Sequence, residues 1–390
     1  MSDTKRELEI DAARGLMLVW MTLTHLPTAL TPWVNQPFGY VSSSDGFIFL
    51  SALFTGRIYY RLLMRGGLRA MGSKLLWRTL RLYGYHVLLL LFAFLIAARY
   101  AMATRSVSLY NLLDYYFTVG RTHAIGDALF LVYRPPLLDI IPLYIIFLLI
   151  SPLVIVASTR VGWKIILAAS GTIWLLAQFG LREASYRFLS NHFGVQIPLN
   201  EMGAFNLWAW QLMWVFGMWC GVRWAQDDLP TEKWAQRTWI PTALLALSFL
   251  VLRYFEIFGL NLGHWSPLFD KWHIGIVRLI DFTAVATLLI RFRSAIKPLA
   301  VKPLVLMGQS SLRVFCMHFV FCFIGIAMMG SAERIFGWKQ AALVVVTFAA
   351  LYWIAKISAR PELSAQAGDQ RESQGKSRPA SPANGFTRAA

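Results

Sequence analysis

The recurrence of long apolar stretches leaves this chain little choice of fold. Ten of them, at 12–31, 43–62, 84–103, 137–157, 163–181, 206–225, 238–257, 273–291, 308–329 and 338–357, approach the length of about twenty residues that a helix needs to cross a bilayer. Hydrophobic residues make up 57% of the chain and charged residues 15%, against about a quarter charged in soluble domains. In lipid a segment must satisfy its own backbone hydrogen bonds, which favours helices. The sequence therefore predicts an all-α, polytopic membrane helix bundle of about ten transmembrane helices. One domain covers residues 1–360; the segment 361–390, rich in Ser, Gln, Ala, Gly, Pro and charge, is expected to be a disordered cytoplasmic tail. The first stretch lacks a signal peptide's features: its flank mixes acids and bases and no A-x-A site follows, so it should remain as the first membrane helix.

A net charge of +17 in a soluble protein would suggest nucleic acid. Here the cations are sided. With an inner N-terminus, Arg57, Arg61, Arg65, Arg69, Lys74, Arg78, Arg81, Arg160, Lys164, Arg291 and Arg293 all fall on the inner face. That is the positive-inside pattern, which puts both termini in the cytoplasm and makes nucleic acid an unnecessary partner. Cys220, Cys316 and Cys322 lie within expected spans, so no disulfide framework is implied. No metal-ligand spacing and no serine-hydrolase elbow occurs. The inner segment 57–81 carries seven cations and no acid. It suits anionic lipid, at about 1 kcal/mol per cation, or a polyanionic cytosolic ligand such as coenzyme A.

Several polar groups fall inside the expected spans. Arg14 and His25 are eleven residues apart, roughly 16 Å along a helix. This puts Arg14 at the inner headgroups and His25 in the outer half of the membrane, where an imidazole serves a polar site or is hydrogen-bonded within the bundle. Ser42, Ser43, Ser44 and Asp45 enter the second span; Asp45 is a helix cap, an orienting partner for His25, or both. Arg278 and Asp281 are spaced to pair on one face. His318 lies mid-depth after Ser310 and Ser311, and His86 opens the third span at the inner side after Arg78 and Arg81. The outer connections 104–136 and 182–205 contain aromatic, amphipathic pieces suited to lids or to a sugar. A basic inner mouth, a base within the membrane and a polar outer mouth are what transmembrane acyl transfer needs. A transporter would use similar parts.

Six stretches carry a resemblance: Glu9–Pro27 (EIDAARGLMLVWMTLTHLP), Ser44–Ser51 (SDGFIFLS), Arg78–His86 (RTLRLYGYH), Leu138–Tyr144 (LDIIPLY), Phe205–Gly217 (FNLWAWQLMWVFG) and Gly308–His318 (GQSSLRVFCMH). In this order they resemble the membrane acyltransferase-3 superfamily and, within it, the OpgC branch, whose namesakes succinylate osmoregulated periplasmic glucans. The resemblance implies an inner-membrane O-acyltransferase moving succinyl from cytosolic succinyl-CoA, a co-substrate rather than a bound cofactor, to glucan hydroxyls. His25, Asp45 and His318 would be catalytic. Arg14, Arg78, Arg81 and His86 would hold the donor, while Ser44, Asp139, Tyr144, Arg278, Ser310 and Ser311 would contact substrate. No metal is implied; the partners are acyl-CoA, the glucan, the bilayer and the glucan-synthesis machinery. Acetyl transfer to another surface glycan, or a transporter, remains an alternative. One departure is Ala52, where the family pattern Leu-Ser-Gly ends in glycine.

Overall fold

The computed structural model describes residues 3–228, 231–257, 259–329 and 334–376, and among them there is no β-strand. The principal helices are α1 (Asp3–His25), α2 (Ser43–Leu91), α3 (Ile140–Val161), α4 (Trp163–Gln178), α5 (Leu181–Phe193) and α6 (Leu207–Ala225). They continue with α7 (Thr231–Ile257), α8 (Ile276–Arg291), α9 (Lys302–Gln309), α10 (Ser311–Met329) and α11 (Gly337–Lys376). The backbone of α11 is helical to Lys376, into the segment expected to be a disordered tail; residues 377–390 lie outside the described residues.

Among the described residues, five helices are long and apolar enough to cross a membrane, or six if α4 and α5, bent by 81°, form one crossing. The chain is a membrane protein. The shortfall from ten has physical causes. α1 ends at His25, so a stretch of spanning length on it takes in Glu9 and Asp11 as well as Arg14; α6 is rich in Trp, and α8 is only 16 residues long. The run Ser43–Thr104 counts once although it has 62 residues, about three bilayer thicknesses at 1.5 Å per residue.

That long run corrects the expected inner loop at 57–81, which is helical. Its Arg, Leu, Met, Lys and Ala residues are good helix formers. The one interruption inside α2 is Gly67, at φ 73° and ψ −175°, a left-handed conformation that glycine enters without a Cβ penalty. The helix reverses its course there and continues through a π-turn, Phe92–Ala97, to Thr104. The cations of this segment are consequently carried on two helical arms instead of one flexible mouth.

Small residues allow the close helix contacts. A Cβ on Gly221 of α6 would lie 2.0 Å from the Leu53 carbonyl oxygen, and one on Gly56 of α2 would lie 2.2 Å from that of Met218. Such spacing by fours lets two backbones meet within a membrane. Ala52 lies in this seam against Gly217, whose missing Cβ leaves room for the extra methyl. Gly308 of α9 makes a similar approach, 1.8 Å from the Asp11 carbonyl oxygen for a built Cβ. α9 thus clamps the inner half of α1 and leads directly into α10. The core between these helices is aromatic: Trp210, Trp214, Phe147, Phe315, Phe319 and Phe323 are fully buried. Where the indole of Trp214 has a polar tip, it donates to Ser151 Oγ at 3.0 Å.

Candidate functional site

α1 contributes a polar group at each end of its buried course, and α10 meets both. At the inner end Arg14 Nη2 donates to Ser311 Oγ, the Asp11 carboxylate lies 3.6 Å away, and the guanidinium covers the Phe54 ring at 5.0 Å. Arg78, from the second arm of α2, donates to Tyr144 Oη at 2.6 Å and Thr55 Oγ1 at 3.4 Å, beside the Tyr59 ring at 6.0 Å. None of these Arg78 partners is a carboxylate. Arg14, Arg78 and Tyr144 lie within electrostatic reach of one another. With Asp11 beside Arg14 alone, the two half-buried guanidiniums form a locus of positive charge, and charge-assisted hydrogen bonds would hold an anion there.

At the outer end, His25 closes α1 and faces His318 of α10. The rings lie side by side, within 25° of parallel and with centroids 5.6 Å apart, and His318 Nε2 lies 3.4 Å from His25 Nδ1. The second ring nitrogen of His318, Nδ1, bonds to the Phe315 carbonyl. A carbonyl only accepts, so the proton is on His318 Nδ1 and Nε2 presents a lone pair. His25 Nδ1–H therefore donates to it, leaving His25 Nε2 unprotonated. This chain of bonds sets the tautomer of His25 through its second nitrogen. Between the two ends, Phe47 stacks on Phe315 at 4.9 Å and stands edge-on to Tyr144 at 6.5 Å, an apolar stretch between the anion-binding and imidazole levels.

Asp45 corrects two expectations. It is not the partner of His25: Oδ2 accepts from Ser42 N at 2.7 Å, Ser42 Oγ at 2.8 Å and Arg278 Nη2 at 2.8 Å, and Oδ1 accepts from Arg278 Nε at 3.3 Å. The cap and the ion pair occupy the carboxylate together, with both side chains about 1% exposed. Nor do Arg278 and Asp281 pair, although both lie on α8. Asp281 Oδ2 instead accepts the Tyr40 backbone N–H at 2.6 Å, because the 39–45 segment folds across α8 and offers each side chain a nearer partner. Ser44 joins the network through Ser42 Oγ at 2.8 Å.

The other expected residues separate. Ser310 donates to the Ala355 carbonyl of α11 at 3.3 Å, away from Arg14. Arg81, three residues beyond Arg78, is exposed, whereas Arg78 is half-buried. His86 is corrected most. It does not open an inner mouth; it is buried against the outer connection, with Nε2 3.4 Å from the Ala128 carbonyl. The unbroken second arm of α2 carries it up from Gly67 by about 28 Å. That outer connection is itself helical, Val107–Leu112, Asp114–Thr118 and Arg121–Leu129. Asp139 accepts the Ala204 backbone N–H at 3.1 Å and lies within electrostatic reach of Arg134 and Lys271.

Lys271 was not singled out by sequence reasoning as a site residue, yet it joins the levels of the outer half. Its ammonium is within electrostatic reach of Arg278, Asp45 and Asp139 and of His25. Burial, and then the Arg278 charge, push its pKa down to about 8. In the outer connection, burial pushes Arg134 down to about 10. The signal for this corner was the run Asp270-Lys271-Trp272-His273, whose ends, spaced by three, bond through His273 Nδ1 and Asp270 Oδ2. Among the described residues no group of three or more His, Cys, Asp or Glu gathers as for a metal ion.

Residues 6–362 match the family model described as OpgC protein. No curated protein and no solved structure matches the chain.

Proposed function

Because the chain belongs to the OpgC family across residues 6–362, we propose that it is a membrane-embedded O-acyltransferase. It moves a succinyl group from cytosolic succinyl-CoA to hydroxyls of a glucan on the far side of the bacterial inner membrane. In this reading the family sits within the acyltransferase-3 superfamily, and the bundle crosses the membrane ten times. The crossings are α1, the two arms of the 43–104 run, α3, α4, α6, α7, α8, α10 and α11, with both termini cytoplasmic and the domain ending near residue 360. Donor, glucan and lipid are its partners, and the glucan-synthesis machinery is the source of the acceptor.

The observation that carries the reading is the pairing of Arg14 and His25 on one helix with opposite tasks. At the inner level Arg14 and Arg78 supply an anion site only partly neutralised by Asp11, suited to the phosphates of coenzyme A. At the outer level His25 presents an unprotonated Nε2, fixed by His318. The thioester arm of the donor spans the apolar stretch between them. His25 Nε2 removes the proton of an acceptor hydroxyl as its oxygen attacks the thioester carbonyl. The tetrahedral intermediate then expels the coenzyme A thiolate, which takes the proton from the imidazolium. His318 acts through His25, holding the tautomer that makes it a base. The Asp45–Arg278 pair, with Ser42 and Ser44, fixes the start of α2 beside the site.

The test is transfer by purified protein in lipid nanodiscs, supplied with succinyl-CoA labelled in the acyl group and with unsubstituted periplasmic glucan. Label on the glucan, matched by release of free thiol and abolished by His25→Ala, is the expected result. Label transferred equally well by His25→Ala would remove the base from the mechanism. Transfer from acetyl-CoA but not succinyl-CoA would replace the acyl group. Glucan flux into sealed proteoliposomes of the same protein without thiol release would favour transport.

A further inference from the structure

On the outer side of the bundle a cleft of about 650 Å³ opens between the 36–40 segment, the α4–α5 bend, the outer end of α7 and the 262–273 loop. Of the two connections that the sequence marks as suited to lids or to a sugar, only the start of 182–205 borders the cleft, through Glu183. Its polar groups are of both signs and largely self-neutralised. Arg253 bonds Glu256 at 3.0 Å, and His273 bonds Asp270. Such a surface has little net field with which to hold an ion. It does present carboxylate acceptors beside a guanidinium donor, with Glu183 across the opening and Gln178 there too, its amide N–H groups held by the Trp174 and His273 carbonyls. Arg253 Nε has no hydrogen-bond partner among the described residues. Sugar hydroxyls both donate and accept, so they match this mixture. Phe269, half-buried against Tyr40 with ring centroids 4.6 Å apart, adds an apolar surface for the C–H face of a pyranose ring.

Two residues tie the cleft to the candidate site. Lys271 lines it and lies within electrostatic reach of Asp45, Arg278 and His25. Tyr40 also lines it, while its backbone N–H is held by Asp281, one turn of α8 from Arg278. We propose that this cleft is the acceptor subsite, where a neutral oligosaccharide is held by Arg253, Glu256 and Glu183 and by the Phe269 ring, and from which a hydroxyl passes Lys271 to reach His25. The inference rests on the acyl-transfer reading and supplies the acceptor site that the reading lacks.

The experiment measures equilibrium binding of two probes to purified protein in nanodiscs: unsubstituted glucan purified from cells lacking the protein, and succinyl-CoA. Glu256→Gln and Phe269→Ala are compared with wild type and with His25→Ala. Each cleft variant is expected to weaken glucan binding about tenfold, the loss of one good contact, with succinyl-CoA binding unchanged as proof of folding. His25→Ala should bind glucan as wild type does. Glucan binding that is undiminished in both folded cleft variants overturns the cleft assignment and leaves the acyl-transfer reading standing. Failure of the wild-type protein to bind glucan while it binds succinyl-CoA overturns both the cleft and the choice of acceptor.

Discussion

Replacing Asp45 with Asn tests how the buried charges of the outer half are partnered. Asp45 and Arg278 are each about 1% exposed and joined by two hydrogen bonds, so the neutral amide strands a buried guanidinium. Breaking such a pair from one side costs about 3–5 kcal/mol. Losing the carboxylate acceptor at the Ser42 backbone N–H, bonded at 2.7 Å, adds about 1 kcal/mol. Arg278→Met should cost about 3–5 kcal/mol by stranding the carboxylate instead. The double variant strands neither charge. Arg278 Nη1 already lacks a partner among the described residues, so the pair is not optimally satisfied and its joint removal should cost only about 1–2 kcal/mol. The singles thus sum to about 7–11 kcal/mol and the double falls far below, a coupling of several kcal/mol. Denaturant unfolding in detergent, followed by fluorescence of the 16 Trp residues, measures all three variants. Effects that add to within about 0.5 kcal/mol would refute the pairing. So would strong coupling of Arg278→Met to Asp281→Asn, whose own cost, one charged acceptor for the Tyr40 N–H, should be about 1.5–3 kcal/mol.

Other outcomes follow from the same geometry. His318→Gln should lower the rate constant for transfer by about 10²-fold with donor affinity unchanged, because it loosens the tautomer of His25 without removing the base; steady-state kinetics check this. Arg78→Ala should weaken succinyl-CoA binding by about tenfold or more, the loss of a charge-assisted contact. Exposed Arg81→Ala should leave binding unaltered; titration calorimetry separates the two. Lys271, with its pKa pushed down to about 8, should react with an amine-acylating reagent half-maximally near that pH. Its deprotonated form is the nucleophile and accumulates as pH rises, so exposed lysines should lag until near their ordinary value of about 10.4, as peptide mass spectrometry can follow.

The helical class was legible because apolar runs of about twenty residues suit a spanning helix, which satisfies its own backbone in lipid, and are too long for the strands of a barrel. The inner segment 57–81 was misread because seven cations resemble a loop, although Arg, Lys, Leu and Met also favour a helix; only Gly66-Gly67 marked the bend. That one error displaced His86, whose level depends on where the helix turns. The Arg14–His25 spacing was readable since both lie on one helix. Partners between helices were not. Asp281 lies one turn from Arg278, and nothing in sequence reveals that Asp45, 233 positions away, takes the guanidinium instead. His318 was recognisable as intramembrane polarity, but its hydrogen bond to His25 depends on how α1 and α10 cross. The outer cleft is assembled from four separated segments, each unremarkable alone.

The most direct measurement of the central claim is the ester content of periplasmic glucans, read by mass spectrometry, from cells expressing wild-type protein or His25→Ala at matched membrane levels. The account predicts succinylated glucan with the wild type and unmodified glucan with the variant. Unmodified glucan in both would contradict the acceptor, and equal succinylation in both would contradict the role of His25.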